Sequence, residues 1–146
     1  MGYYMTQRDA IFNIKAEDVE KALAAIKKLA DPEKMKLSAS GGGTVNGKPV
    51  IHYSWVTNNE FLEANTLQDA IIAWRWNIGL DRETGDVCEI FFEGEKLGDD
   101  EALFKALAPY VEDGSYIEMS GEEGALWRWE FNNGEVEEKF ATVRWD

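Results

Sequence analysis

The sequence predicts an α+β domain: three β–α units, then a three-stranded antiparallel meander, with the helices packed on a mostly antiparallel or mixed sheet. Three observations point there. Apolar residues recur every three or four positions in three segments and every second position in several others. The last third carries short apolar runs separated by turn residues, among them Asn133-Gly134, a strong type I′ hairpin signal. The length, 146 residues, suits one domain spanning residues 1–146, with no repeat of fixed period and no interdomain linker.

In chain order, Ala10 to Ile14 reads as a strand. Val19, Leu23, Ile26 and Ala30 form one stripe of a helix from about Glu17 to Ala30. Glu17 and Asp18 complement the positive end of its dipole, and Lys27 and Lys28 the negative end. Asp31-Pro32 stops it, because a proline disfavours helical geometry in the residue before it. Glu33 to Lys48 is expected to be a loop, with Gly41-Gly42-Gly43 and Asn46-Gly47 as turns. Val50 to Val56 alternates as a strand. Thr66 caps a second helix whose Leu67, Ala70, Ile71 and Trp74 share a face. Val87 to Phe92 has apolar groups on both sides and reads as a central strand. Gly98-Asp99-Asp100 opens a third helix with Leu103, Phe104 and Leu107 inward and Pro109 just beyond. The meander follows: Ser115 to Ser120, Ala125 to Phe131, and Glu135 to Trp145.

Composition narrows the function. The chain carries 28 acidic and 15 basic side chains, a net charge of −13. Its 45% hydrophobic content is too high for a disordered acidic tail. Binding along a nucleic-acid backbone needs clustered Lys and Arg and is not expected. No apolar run nears the roughly 18 residues of a membrane span, and the N-terminus lacks a signal-peptide core, so the expected location is the cytoplasm. One cysteine and one histidine exclude an internal disulfide and a Cys/His zinc site. Up to Leu80 there are nine acids and nine bases; from Asp81 on there are nineteen and six. The C-terminal part therefore carries the whole net charge, either as a solubilising surface or as a face aimed at a basic partner.

The meander also holds the aromatic residues. A two-residue turn at Asn133-Gly134 puts Phe131 opposite Val136, Trp129 opposite Glu138 and Trp127 opposite Phe140. If the preceding four-residue connection closes regularly, Tyr116 and Glu118 join the Trp row, with Glu118 opposite Trp127. Arg128, Glu130, Ile117, Met119 and Leu126 then take the other face. The row is either core or the lining of a cleft. A carboxylate within it, Glu118 or Glu138, has to reach water, a cation such as Arg128, or a ligand. A bulge near Glu137–Lys139 would turn Glu138 outward. The candidate binding residues are Trp127, Trp129, Tyr116, Glu118, Arg128, Glu122 and Glu123. Trp-Arg-Trp occurs twice, at 74–76 and 127–129. Over so short a length the repeat reads as accidental.

Catalytic signals are weak. His52 reads as a structural histidine on a strand and Cys88 as a small buried residue, neither in a nucleophile motif. Asp99-Asp100-Glu101 reads as helix capping rather than as a metal site. Glu118, Glu122 and Glu123 lack a calcium-loop spacing, and Gly41-Gly42-Gly43 lacks the ending of a phosphate loop. No cofactor and no metal are expected.

Gly114-Ser115-Tyr116-Ile117-Glu118-Met119-Ser120-Gly121-Glu122-Glu123-Gly124, then Trp127-Arg128-Trp129-Glu130-Phe131, resembles the C-terminal pattern of small acidic proteins of unknown activity encoded by bacteriophages, prophages and related mobile elements. Gly94 to Asp100 and Thr66 to Trp76 fit the same pattern, which covers most of the chain from Tyr53 onward. The resemblance implies a bacterial host cytoplasm and carries over no activity or site residue. The expected function is thus a non-catalytic binding protein, a phage or mobile-element accessory factor that inhibits a basic host protein of defence or nucleic-acid metabolism by mimicking nucleic-acid charge. The alternatives are a small-molecule or nucleotide binder using an aromatic cleft, and a metal-dependent hydrolase.

Overall fold

A computed structural model describes residues 2–30, 41–45 and 48–141, the strands at 41–45 and 48–52 by their backbone alone. Strand β1 (Tyr3–Ile11) leads through a 3₁₀ turn into helix α1 (Val19–Lys27). A hairpin of β2 (Gly41–Val45) and β3 (Lys48–His52) comes next, then the short helices α2 (Asn58–Leu62) and α3 (Leu67–Ala73). A second hairpin, β4 (Trp76–Leu80) and β5 (Val87–Phe92), precedes the two-residue β6 (Lys96–Leu97) and α4 (Asp100–Leu107). The chain ends in β7 (Ser115–Gly121), β8 (Leu126–Asn132) and β9 (Glu135–Phe140). The class is α+β, and every pairing among the described strands is antiparallel.

The elements do not follow one another as three β–α units. After α1 the strands come as hairpins, because Gly41–Gly43 is itself extended and pairs with Val50–His52. The Asp31-Pro32 stop and the Asn46-Gly47 turn lie outside the described residues. The strand expected to reach Val56 ends at His52, and a turn at Tyr53–Val56 holds Trp55 at φ 67°. Trp76 to Leu80, directly after the second predicted helix, is a strand.

The main sheet runs β6-β1-β7-β8-β9, and the β4–β5 hairpin continues its curl. The junction uses a side chain in place of a ladder. Gln7 Nε2 donates to the Ile90 carbonyl (2.8 Å), and its Oε1 accepts from the Phe92 amide (2.7 Å), so one carboxamide substitutes for a peptide group between β1 and β5. The bulge that follows, at Arg8, places both Arg8 and Asp9 toward the convex face.

The concave face is filled by α1, α3 and α4. Leu23, Ile26, Ala70, Ile71, Leu103 and Phe104 are buried there, at the three- and four-residue spacing of their helices. The Thr66 cap forms as its sequence requires, with Oγ1 accepting from the Asp69 amide at 3.1 Å. At the centre, Trp76, Phe104, Trp129 and Phe131 meet edge to face or tilted, with ring centroids 4.9–6.2 Å apart. No described helix is long and apolar enough to cross a membrane.

Candidate functional site

The Asn133–Gly134 turn imposes the pairing its type demands: both residues have positive φ, and Phe131, Trp129 and Trp127 face Val136, Glu138 and Phe140. The β7–β8 register differs by one residue from the regular closure. Glu122–Gly124 forms a 3₁₀ turn with Glu123 and Gly124 at positive φ, so the connection holds five residues, and Ser120 pairs with Leu126. One residue of slip exchanges the faces. Ile117 and Met119 now lie with Trp127 and Trp129, while Tyr116 and Glu118 lie on the convex face with Arg128 and Glu130.

The aromatic row is therefore core. Trp127, Trp129 and Phe131 are all buried. This corrects the aromatic-cleft reading for Trp129. Trp127, packed between Tyr3 (6.3 Å) and Phe140 (6.5 Å), retains one edge beyond the reach of α4. Of the seven candidate binding residues, the structure brings together Tyr116, Glu118 and Arg128. Glu122 and Glu123 sit apart, exposed in the turn at one end of the sheet, where the Glu122 carbonyl accepts from the Tyr3 hydroxyl.

On the convex face, Arg128 Nε donates to Glu118 Oε1 (2.8 Å), and the guanidinium stacks 4.4 Å above the Tyr116 ring. The Tyr116 hydroxyl donates to Asp9 Oδ2 (2.7 Å), and Arg8 Nε approaches Glu118 at 3.5 Å. Lys139 pairs with Glu130 at 2.9 Å. The Tyr116 bond, and then the Ala10 amide, hold the Asp9 carboxyl below the usual range; the same bond raises Tyr116. Glu118 in turn raises the already high pKa of Arg128. Glu118, Arg128, Glu130 and Lys139 line a shallow groove of about 410 Å³ beside Leu126, which also reaches Trp127 and Phe140 at the open edge. Chemically this face is a lattice of satisfied charges.

The concave side of β9 is different. The register runs without a bulge, so Glu138 stays on the Trp face. Burial and the nearby Glu101 push its pKa up. The buried Trp129 Nε1 is directed at that carboxyl and partly offsets the rise.

A further polar centre forms around Asp100. Asp100 is 1% exposed and accepts from Arg75 Nη2 (2.9 and 3.0 Å), Trp76 Nε1 (2.8 Å) and the Gly98 amide (2.9 Å). The helix opens where expected, with Asp99 at the cap and Asp100 and Glu101 in the first turn, but neither aspartate caps it through its side chain: Asp100 accepts from the part-buried Arg75 guanidinium, and Asp99 accepts from the Ser54 amide. The first Trp-Arg-Trp segment was the signal for this centre. Arg75 sits at φ 72° between α3 and β4, which turns Trp74, Arg75 and Trp76 all inward.

The remaining candidates recede. Cys88 is exposed rather than buried, because β5 shows its Cys88 and Glu89 side chains to solvent. The His52 side chain lies outside the described residues. Among the described residues no three His, Cys, Asp or Glu side chains converge as a metal site. Comparison with family models, curated proteins and solved structures finds no match for this chain.

Proposed function

We propose that the chain is a non-catalytic acidic binding protein that occupies a basic protein of a bacterial host, in the manner of a phage or mobile-element accessory factor. The observation that carries this reading is a charge imbalance on the C-terminal sheet. Residues 115–141 hold seven carboxylates and two cations, and both cations are spent inside the sheet, Arg128 on Glu118 and Lys139 on Glu130. Glu122, Glu123, Glu135, Glu137 and Glu138 are exposed and have no cationic partner among the described residues. A field of one sign at the rim of a rigid sheet steers an oppositely charged partner and orients it.

The test is capture from a bacterial lysate at about 50 mM and about 300 mM salt, between which the screening length falls to roughly half. Basic proteins retained at low salt, released at high salt and lost by the Glu122→Gln, Glu123→Gln, Glu137→Gln triple variant support the reading. Salt-insensitive capture of a neutral partner overturns it.

A second reading, a small-molecule binder, draws on the convex groove, whose volume of about 410 Å³ is within the range of ligand sites. It puts the ligand on Arg128 and Lys139, in a groove that Trp127 and Phe140 also line. A rise in melting temperature with a nucleotide panel, abolished by Arg128→Ala, supports it.

A further inference from the structure

At the β9 end of the concave face, α4 no longer covers the sheet. Tyr3, Leu97, Ala125, Trp127, Glu138 and Phe140 enclose a cavity of about 130 Å³. Its walls are built rather than incidental. The Tyr3 ring lies flat across Gly121, where any β-carbon would collide with it, and this brings the ring against Trp127. The Tyr3 hydroxyl is anchored on the Glu122 carbonyl. On the opposite wall Phe140 is 66% exposed, while Leu97, the cross-strand neighbour of Tyr3, is 36% exposed. An exposed aromatic and an exposed leucine thus flank the opening.

Among the described residues the lining has one charged group, the Glu138 carboxyl, and no cation. Glu101, across from it on α4, is drawn to Lys105 at 3.8 Å and offers Glu138 only like charge. Three aromatic rings around a carboxylate with no counter-ion among the described residues suit a cation, since ring faces attract positive charge and the carboxylate then recovers what burial removed. An anion meets Glu138 and Glu101, and a purely apolar group leaves Glu138 desolvated. The pocket, about 130 Å³, has room for the head of a side chain but not for a larger ligand. A planar guanidinium stacks on rings and meets a carboxylate with two donors, which an ammonium does not.

We propose that this pocket receives an arginine side chain of the basic partner, stacked on the exposed Phe140 ring at the mouth, with the Trp127 edge behind it, and paired with Glu138. The inference rests on the binding function proposed above and names its anchor point.

The test uses the whole chain and the peptide acetyl-Arg-Gly-Arg-amide, with its citrulline counterpart as the uncharged isostere. The arginine peptide is expected to shift the Trp127 indole and the β9 amide resonances, while the citrulline peptide does not. Glu138→Gln is expected to weaken binding about ten-fold and Phe140→Ala about five-fold. Both side chains are exposed enough for the variants to fold, and Glu20→Gln, exposed on α1 away from the sheet rim, is the control that leaves affinity unchanged. Equal binding of the citrulline peptide, or binding indifferent to both Glu138→Gln and Phe140→Ala, overturns the pocket. That result leaves salt-dependent capture of basic proteins standing. Conversely, failure of capture with intact peptide binding removes the partner and keeps the arginine site.

Discussion

Trp74-Arg75-Trp76 and Trp127-Arg128-Trp129 have the same three side chains and opposite fates. The second lies within β8, where alternation sends both tryptophans into the core and Arg128 out to Glu118 and Tyr116. The first straddles the end of α3 and the start of β4. There the left-handed Arg75 cancels the alternation, and all three side chains turn inward. Arg75 is consequently 15% exposed and Arg128 43%. Its own backbone conformation, not its neighbours in sequence, decides whether such an arginine becomes part of the core or part of the surface.

Energetics should separate the two sharply. Asp100→Ala strands a buried guanidinium and the Trp76 indole N–H, and is expected to cost about 3–5 kcal/mol in denaturant unfolding. A cost below about 1 kcal/mol would show that Arg75 escapes to water when its partner is lost. Gly98→Ala probes the same centre from outside. A β-carbon there would lie 2.8 Å from both Arg75 Nη2 and Trp55 Cδ1, and 3.1 Å from the Ser54 carbonyl. A loss of about 1–3 kcal/mol is expected, as for overpacked cores. Arg128→Ala, by contrast, breaks a half-exposed pair and one ring contact, and should cost no more than about 1 kcal/mol, with a salt dependence that Asp100→Ala lacks.

The smallest effect expected is one of pH. Burial, then Glu101, raises the folded-state pKa of Glu138, so the native chain holds that proton more tightly than the unfolded one. Its contribution to stability is fully present below the unfolded carboxylate range and is lost as pH rises through the folded pKa. Glu138→Gln should therefore remove this downward step from the melting-temperature profile and leave the variant slightly more stable at neutral pH. Asp9 has the opposite sign: its pKa is lowered by Tyr116, so its contribution is present above the unfolded range and fades as pH falls through the folded value. A profile whose step persists unchanged in Glu138→Gln would assign it elsewhere.

Much of the architecture was legible from spacing. The α1 stripe, the Thr66 cap with its buried Leu67, Ala70, Ile71 and Trp74, and the β8–β9 register from Asn133–Gly134 are all consequences of short-range geometry. The β7–β8 register was not. It depends on whether Glu122–Gly124 closes as a regular turn or coils into a 3₁₀ turn with one more residue, and the sequence is compatible with both. That single residue moves Tyr116 and Glu118 from the Trp row to the charged face, and so reshapes the candidate site.

By itself the sequence determined the class of the protein and the location of its charge. Helical stripes, alternating strands and a hairpin turn are local patterns, and the excess of carboxylates after Leu80 is a matter of counting. The tertiary structure decided which of those charges remain without a partner. Arg75 finds Asp100 twenty-five positions away, Gln7 closes onto Ile90 and Phe92 more than eighty positions away, and Glu138 comes to rest against Trp129 beside Glu101. Such pairings depend on how layers stack and how the sheet curls. Local propensity carries no record of contacts between residues so distant in the chain, and they exist only once the core has packed.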